Sequence, residues 1–374
     1  MSSFLSRFSN FSTTFSSILS LFYKKFSVIL LGFVVFLVIY ILICLGLYFA
    51  QESLIFHPQK LPKDFDFTRN FPNSTEINLK STDGINLNGL ILHANLTSEN
   101  SQNSKKAQNN LQNSDEKAQS ENSQSWLNSA ILQANSTTLK NNSTKLESRN
   151  LKMENSESLN QAENSQNSPN YQIKSEKSSK GLIFYLHGNS GSIAGWGNVA
   201  KFYNELGWDV LMPDYRGFGK SEGQITSQNQ LFEDNQLFYN FAKSLYSQDK
   251  IVVMGFSIGT GMAAKIAEQN TPKMLILQAP YYSLNQVLID NFLFIPDFLL
   301  KYKLETAKYI DNSKLSVNIF HGLQDETIFY SNSIKILKNL QNNDSTKLFE
   351  LKNQTHMGIE ENPEFRQKIK EILK

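Results

Sequence analysis

The sequence predicts an α/β fold, a mainly parallel central sheet with helices on both faces, following an N-terminal transmembrane helix. Three observations carry the prediction. From Gly181 onward short apolar runs alternate with helical segments, the pattern of a parallel sheet covered on both sides. Earlier, Thr75 to Lys80 and Ile85 to Ala94 read as strands joined at Asp83-Gly84, a strong hairpin signal that adds antiparallel strands at one edge. Earlier still, Phe26 to Ala50 is almost unbroken in its apolarity and exceeds the roughly 20 residues that span a bilayer.

The elements follow in order. Residues 1–25 form a Ser/Phe-rich tail with Arg7, Lys24 and Lys25 and no acids, and residues 26–50 form the anchor. The anchor has no polar face, as a core helix would, and Gln51-Glu52-Ser53-Leu54 offers no small-residue cleavage site, so it is read as uncleaved and single-pass. Lys24 and Lys25 abut the span, while Lys60, Lys63 and Arg69 follow it; the bias favours an inside N-terminus and an extracytoplasmic domain.

Residues 51–96 supply the first part of the domain. Residues 97–180, dominated by Asn, Ser, Gln and Lys, lack the apolar surface to offset ordering entropy and read as a disordered insert. Its Glu99 to Ser104 recurs at Glu163 to Ser168, and Leu127 to Asn135 echoes Leu87 to Asn95, as duplication or biased composition each produce. Residues 181–374 hold the remainder. Strands are expected at Leu182 to Leu186, Asp209 to Met212, Lys250 to Gly255, Met274 to Gln278, Val317 to Phe320 and Thr346 to Leu351. Helices are expected at Gly197 to Leu206, Asn229 to Ser247, Thr260 to Ala267, Ser333 to Leu340 and Pro363 to Leu373, with an apolar cap at about 281–310.

Composition narrows the function classes. A net charge of +2 gives no basic excess for nucleic acid, and the single cysteine, Cys44, excludes a disulfide framework or a cysteine metal cluster. Gly191-Ser192 and Gly219-Lys220-Ser221 do not form a phosphate loop.

Chemistry concentrates at Gly255-Phe256-Ser257-Ile258-Gly259, a G-x-S-x-G string between an apolar strand and a small-residue helix. That context is the nucleophile elbow of the α/β-hydrolase fold, which lifts a Ser hydroxyl above the sheet edge. Such a hydroxyl needs a base, and the base needs a carboxylate to hold its tautomer. In this fold the chain order is Ser, acid, His. Of five histidines only His321 and His356 follow Ser257. His356, in a loop between the last strand and helix, is assigned as base; His321 is read as shaping a turn. Asp325, just past a strand, is the expected acid, with adjacent Glu326 as the runner-up. Two amides must hold the oxyanion. The N–H of Ile258 is one, and Asn189 in His187-Gly188-Asn189-Ser190-Gly191 is the choice for the other, with Ser190 the alternative. No metal or organic cofactor is required.

The anchor followed by QESLIFHP, the LHGNSG loop, the DYRGFGKSEG loop, GFSIGTG and HGLQDETI together resemble the membrane-anchored α/β-hydrolase-domain serine hydrolases, the family that includes protein depalmitoylases. The similarity covers roughly residues 26–96 and 181–360, and the 97–180 insert departs from the family pattern. Ser257, Asp325 and His356 fall at that family's triad positions. The resemblance implies an acyl ester or thioester substrate and a bilayer partner through residues 26–50. Within the cap, Phe292 to Ile295 and Phe298 to Leu300 suit an acyl-chain groove or a membrane-facing patch as well as packing on the sheet. Trp196 is a candidate addition to that wall. Two alternatives stand beside an esterase: a serine peptidase on the same fold, and a catalytically idle anchored binding protein.

Overall fold

In the computed structural model the described residues are 2–94, 179–291, 297–340 and 345–374, of which 2–21 and 297 are described as backbone only. Most of the 97–180 insert and Phe292 to Ile295 of the cap lie outside them. Helix α1 (Ser2–Ile55) contains the apolar run 26–50. Its Phe22–Ile55 portion, 34 residues long, is long and apolar enough to cross a membrane, and its most apolar stretch is wholly unburied. At about 1.5 Å per residue that length exceeds a hydrocarbon core of roughly 30 Å.

The chain then runs β1 (His57–Pro58), β2 (Ser74–Lys80), β3 (Asn86–Leu92), β4 (Leu182–Leu186) and β5 (Ser190–Gly191). Helices α2 (Ile193–Trp196) and α3 (Ala200–Glu205) lead to β6 (Asp209–Pro213), and α4 (Gln228–Leu245) leads to β7 (Ile251–Phe256). Next come α5 (Gly259–Gln269), β8 (Met274–Gln278), α6 (Leu284–Asn291), α7 (Thr306–Ser313) and β9 (Val317–Gly322). Helix α8 (Ser331–Asn339), β10 (Thr346–Leu351) and α9 (Pro363–Ile372) complete it.

Eight strands form one sheet in the order β10-β9-β8-β7-β4-β6-β3-β2. β3 is antiparallel to both β2 and β6, and every other neighbouring pair is parallel. Every residue of β4, β6, β7 and β9 is buried, which is why β4 and β7 are continuous apolar runs instead of alternating ones. The hairpin turns at Asp83-Gly84 as its sequence requires, with Gly84 at φ 83°. Three strand predictions, 182–186, 274–278 and 346–351, match to the residue. The helix expected from Gly197 instead begins at Ile193 and tightens to a 3-10 turn over Gly197–Val199. The Phe71 ring packs so closely there that a Cβ on Gly197 would lie 2.6 Å from it.

Both ends of the insert meet at one residue. Ala94 donates its N–H to Asp209 Oδ1 at 2.8 Å, and the Asp209 N–H reaches Ser179 Oγ at 3.3 Å. Loop-closure cost rises only slowly with length, so the fold can tolerate a long insertion between these ends. Replacing residues 97–178 by a short Gly/Ser turn is therefore expected to leave the detergent-solubilised protein's melting temperature unchanged within a few degrees. A chain that no longer folds would make the insert part of the domain.

Candidate active site

Strand β7 ends in a residue held against its preference. Ser257 has φ 50°, a left-handed conformation costing a non-glycine residue about 1–2 kcal/mol. Neighbouring bonds hold it: Ser257 donates its N–H to the Gln278 carbonyl at 2.9 Å, and Thr260 donates N–H (2.9 Å) and Oγ1–H (2.6 Å) to the Ser257 carbonyl. The flanking glycines are spatial requirements. A Cβ on Gly259 would sit 2.1 Å from the Leu186 carbonyl oxygen, and one on Gly255 2.5 Å from the Gly259 carbonyl oxygen.

The loops after β9 and β10 are stitched together beside this elbow. A Cβ on Gly322 would lie 2.2 Å from the Gln354 carbonyl oxygen, and that oxygen accepts the Gln324 N–H at 3.0 Å. The Gln354 side chain donates to the Met357 carbonyl at 2.6 Å, fixing the turn that carries His356. The structure brings three predicted residues into one line. His356 Nε2 lies 3.0 Å from Ser257 Oγ, and His356 Nδ1 lies 2.8 Å from Asp325 Oδ2. Asp325 Oδ1 accepts the N–H groups of Thr327 (2.9 Å) and Ile328 (2.8 Å). Burial pushes the Asp325 carboxyl up, but hydrogen bonds from His321 and His356 outweigh it and hold the group well below the usual carboxylate range. An ionised Asp325 requires the proton on His356 Nδ1, leaving Nε2 to accept from the Ser257 hydroxyl. Glu326 beside it is exposed.

His321 shapes no turn: it is buried within β9. Its Nε2 lies 2.7 Å from the Ile328 carbonyl and 3.3 Å from Asp325 Oδ2, so Nε2 carries the proton; Nδ1 accepts from Ser333 Oγ at 2.7 Å. A second imidazole on Asp325 was not legible in the sequence, where a strand-end His signals nothing specific.

The loop after β4 is braced through its carbonyls. Tyr215 OH donates to the His187 carbonyl (2.7 Å), the His57 N–H to that of Asn189 (2.8 Å), and Trp196 Nε1 to that of Ser190 (2.8 Å). The His187 Nδ1 atom is 2.8 Å from the Gly188 carbonyl. Because the peptide is planar and trans, turning that carbonyl to the imidazole turns the Asn189 N–H the opposite way. Trp196 stacks on His187 at 5.9 Å and contacts Phe256 at 5.3 Å, so it supports this loop.

With this geometry in view, comparisons with known proteins are informative. The family model described as "Serine aminopeptidase, S33" (Hydrolase_4) matches residues 177–316. An uncharacterized protein of Acanthamoeba polyphaga mimivirus is 28% identical over 195 residues, covering 46% of this chain and 66% of that protein. The lysophosphatidylserine lipase ABHD12 of Danio rerio is 33% identical over 120 residues, covering 30% of this chain and 31% of the lipase. The chain thus spans less than two thirds of the length of either relative. The solved structure of the Pyrococcus furiosus esterase Pf2001 superposes with a TM-score of 0.51 at 14% identity, covering 85% of this chain and 97% of that one. The chain has the α/β-hydrolase fold. That is the fold class the sequence predicted.

Behind His356 the hydrolase domain buries a second carboxyl. Tyr185 OH lies 2.6 Å from Glu360 Oε1 and 3.2 Å from Gln278 Oε1, and Gln278 Nε2 donates to Tyr203 OH at 3.2 Å. The polar end of the otherwise apolar strand Met274–Gln278 is the one sequence signal for this network. Burial pushes the Glu360 carboxyl up.

Two outcomes follow. Gly259→Ala should destabilise the domain by roughly 3 kcal/mol, because backbone has to move to admit the methyl; chemical denaturation measures it, and a wild-type midpoint would show that the contact yields easily. For Glu360 the folded chain holds its proton more tightly than the unfolded chain. Stability is therefore lost as pH rises from the group's ordinary 4.5. Glu360→Gln removes that dependence, so its melting temperature relative to wild type should rise as the pH is raised above the group's ordinary 4.5. A constant difference would mean that Glu360 is ionised in the folded protein.

Proposed function

We propose that this domain is a membrane-anchored serine hydrolase cleaving carboxylic esters or thioesters with an apolar acyl part. The observation that carries the reading is the Ser257–His356–Asp325 line, with contacts of 3.0 and 2.8 Å, on a serine forced to φ 50°. Ser257 Oγ attacks the acyl carbon while His356 Nε2 takes its proton, and Asp325 stabilises the resulting imidazolium. The Ile258 and Asn189 amides receive the oxyanion. His356 then protonates the leaving alcohol or thiol, and the acyl-enzyme is opened by water through the same base. Lipase and esterase relatives support the substrate class, and α1 supports anchoring through residues 26–50. Lys24 and Lys25 at the span's start favour an extracytoplasmic domain.

The description of the matching family favours a second reading, a serine aminopeptidase. One experiment separates the readings. The full chain in detergent is expected to label with a fluorophosphonate and to hydrolyse p-nitrophenyl esters, faster as the acyl chain lengthens. Ser257→Ala should abolish labelling and lower turnover by about 10⁴-fold or more. Faster cleavage of aminoacyl p-nitroanilides than of any ester would move the assignment to the peptidase. A wild-type protein that does not label would leave an anchored binding protein.

A further inference from the structure

Exposed apolar side chains on this domain are not scattered. Outside α1, the large exposed ones among the described residues are Ile289 (50% exposed), Phe298 (81%), Leu323 (41%), Phe329 (39%) and Met357 (54%). All five lie on segments leaving the carboxyl ends of β8, β9 and β10, the edge that carries Ser257, Asp325 and His356. Helix α6 ties these segments together: Leu284 donates its N–H to the Lys303 carbonyl (2.9 Å), and Asn291 Nδ2 reaches the Thr327 carbonyl (3.5 Å). A soluble surface has no reason to gather its exposed apolar groups around one site, and such a gathering marks a contact face.

The same face is latched to the anchor at its membrane exit. The apolar run ends at Ala50, and the next residue, Gln51, is buried. Its carboxamide bonds cap backbone at both ends: Nε2 donates to the Leu299 carbonyl (2.8 Å), and Oε1 accepts the Lys301 N–H (2.9 Å). Glu52 accepts from Lys301 Nζ and from Tyr302 OH, each at 3.1 Å. Phe56 packs edge-on against Tyr302 with ring centroids 5.3 Å apart. The cap segment 299–302 is therefore fixed to the first turn outside the apolar run, and Phe298 is its immediate neighbour.

We infer that the site-bearing edge of the domain is seated on the bilayer that α1 spans, with Phe298 and Ile289 inserted at the boundary between headgroups and acyl chains, so that acyl esters dissolved in that membrane reach Ser257 laterally. The seating rests on the patch and the latch. The lateral route also rests on the esterase reading above. Continuity between patch and anchor selects the lipid bilayer over a protein partner as occupant. A tether with a free linker would let the domain tumble; two backbone-directed bonds from Gln51 leave no such freedom.

The test uses the full chain in phosphatidylcholine vesicles. In a Cys44→Ser background, single cysteines replace Phe298, Ile289 or, as control, Ser244, which is exposed near the end of α4 at the opposite edge of the sheet. Each carries an environment-sensitive fluorophore, and doxyl-labelled phosphatidylcholine is the quencher. Quenching of about twofold is expected at positions 298 and 289 and none at 244, given an apolar face buried ~5–10 Å into the boundary. Probes at 298 and 289 as unquenched as the control would overturn the seating. A second arm compares Ile289→Asp with wild type. Hydrolysis of a long-chain ester carried in the vesicle should fall about tenfold, while soluble p-nitrophenyl butyrate stays within about twofold. Equal loss on both would overturn the lateral route. If wild type hydrolyses neither ester, the esterase reading fails and quenching alone decides the seating.

Discussion

Everything at the site depends on how closely helix α5 approaches strand β4. Only the missing side chain of Gly259 lets the helix start reach the Leu186 carbonyl, where a Cβ would stand 2.1 Å from the oxygen. Leu186 pairs with Gly255 in the ladder, so the chain leaving β7 must reverse over its own neighbour within a few residues. That reversal puts Ser257 at φ 50° and aims its hydroxyl above the sheet. His187, the residue after Leu186, opens the loop carrying Asn189. One steric contact therefore sets the nucleophile and the start of the opposing loop together. The strain is offset locally by the bonds from Ser257 N–H to Gln278 and from Thr260 to the Ser257 carbonyl.

Two buried carboxyls near the site show how donors decide charge. Asp325 faces two backbone amides and two imidazoles, each bond to a charged group being worth about 1.5–3 kcal/mol. They outweigh burial, and the carboxylate stays ionised. Glu360 has chiefly the Tyr185 hydroxyl, burial wins, and its carboxyl is pushed up. An ionised group beneath the His356 loop would compete with Asp325 for the imidazolium. The upward push that burial gives the Glu360 carboxyl works against such a charge.

The middle of the sheet was legible because β4 and β7 are buried along their whole length, so unbroken apolar runs mark them. Ser257 was legible for a related reason: the glycines that flank it answer to contacts of 2.1 and 2.5 Å that no other residue admits. Histidine scarcity drew attention to His356. The groups packed around Asp325 and His356 were not legible. Nothing in His321-Gly322 announces that its imidazole reaches Asp325, and nothing in Glu360 distinguishes it from the exposed Glu361 beside it. Such roles depend on which side chains the loops after β9 and β10 bring together, and sequence spacing does not encode that. Trp196 illustrates the same limit: nothing in its sequence surroundings announces its bond to the Ser190 carbonyl.

The short segment after the anchor joins these parts. Gln51 and Glu52 hold the cap on one side, while His57 and Gln59 hold the loop after β4 on the other. The His57 N–H bonds the Asn189 carbonyl (2.8 Å), the Gln59 N–H bonds the Gly191 carbonyl (2.9 Å), and Asn189 Nδ2 bonds the Ile55 carbonyl (3.0 Å). Between two donating residues of a parallel strand the intervening N–H points away from the partner. That position is Pro58, which has no N–H to lose and fixes its own φ, so the strand stiffens at no cost in ladder bonds. A flexible linker here would leave both the cap and the loop after β4 without their outer partners. The end of the apolar helix is thus part of the frame that holds both sides of the candidate site.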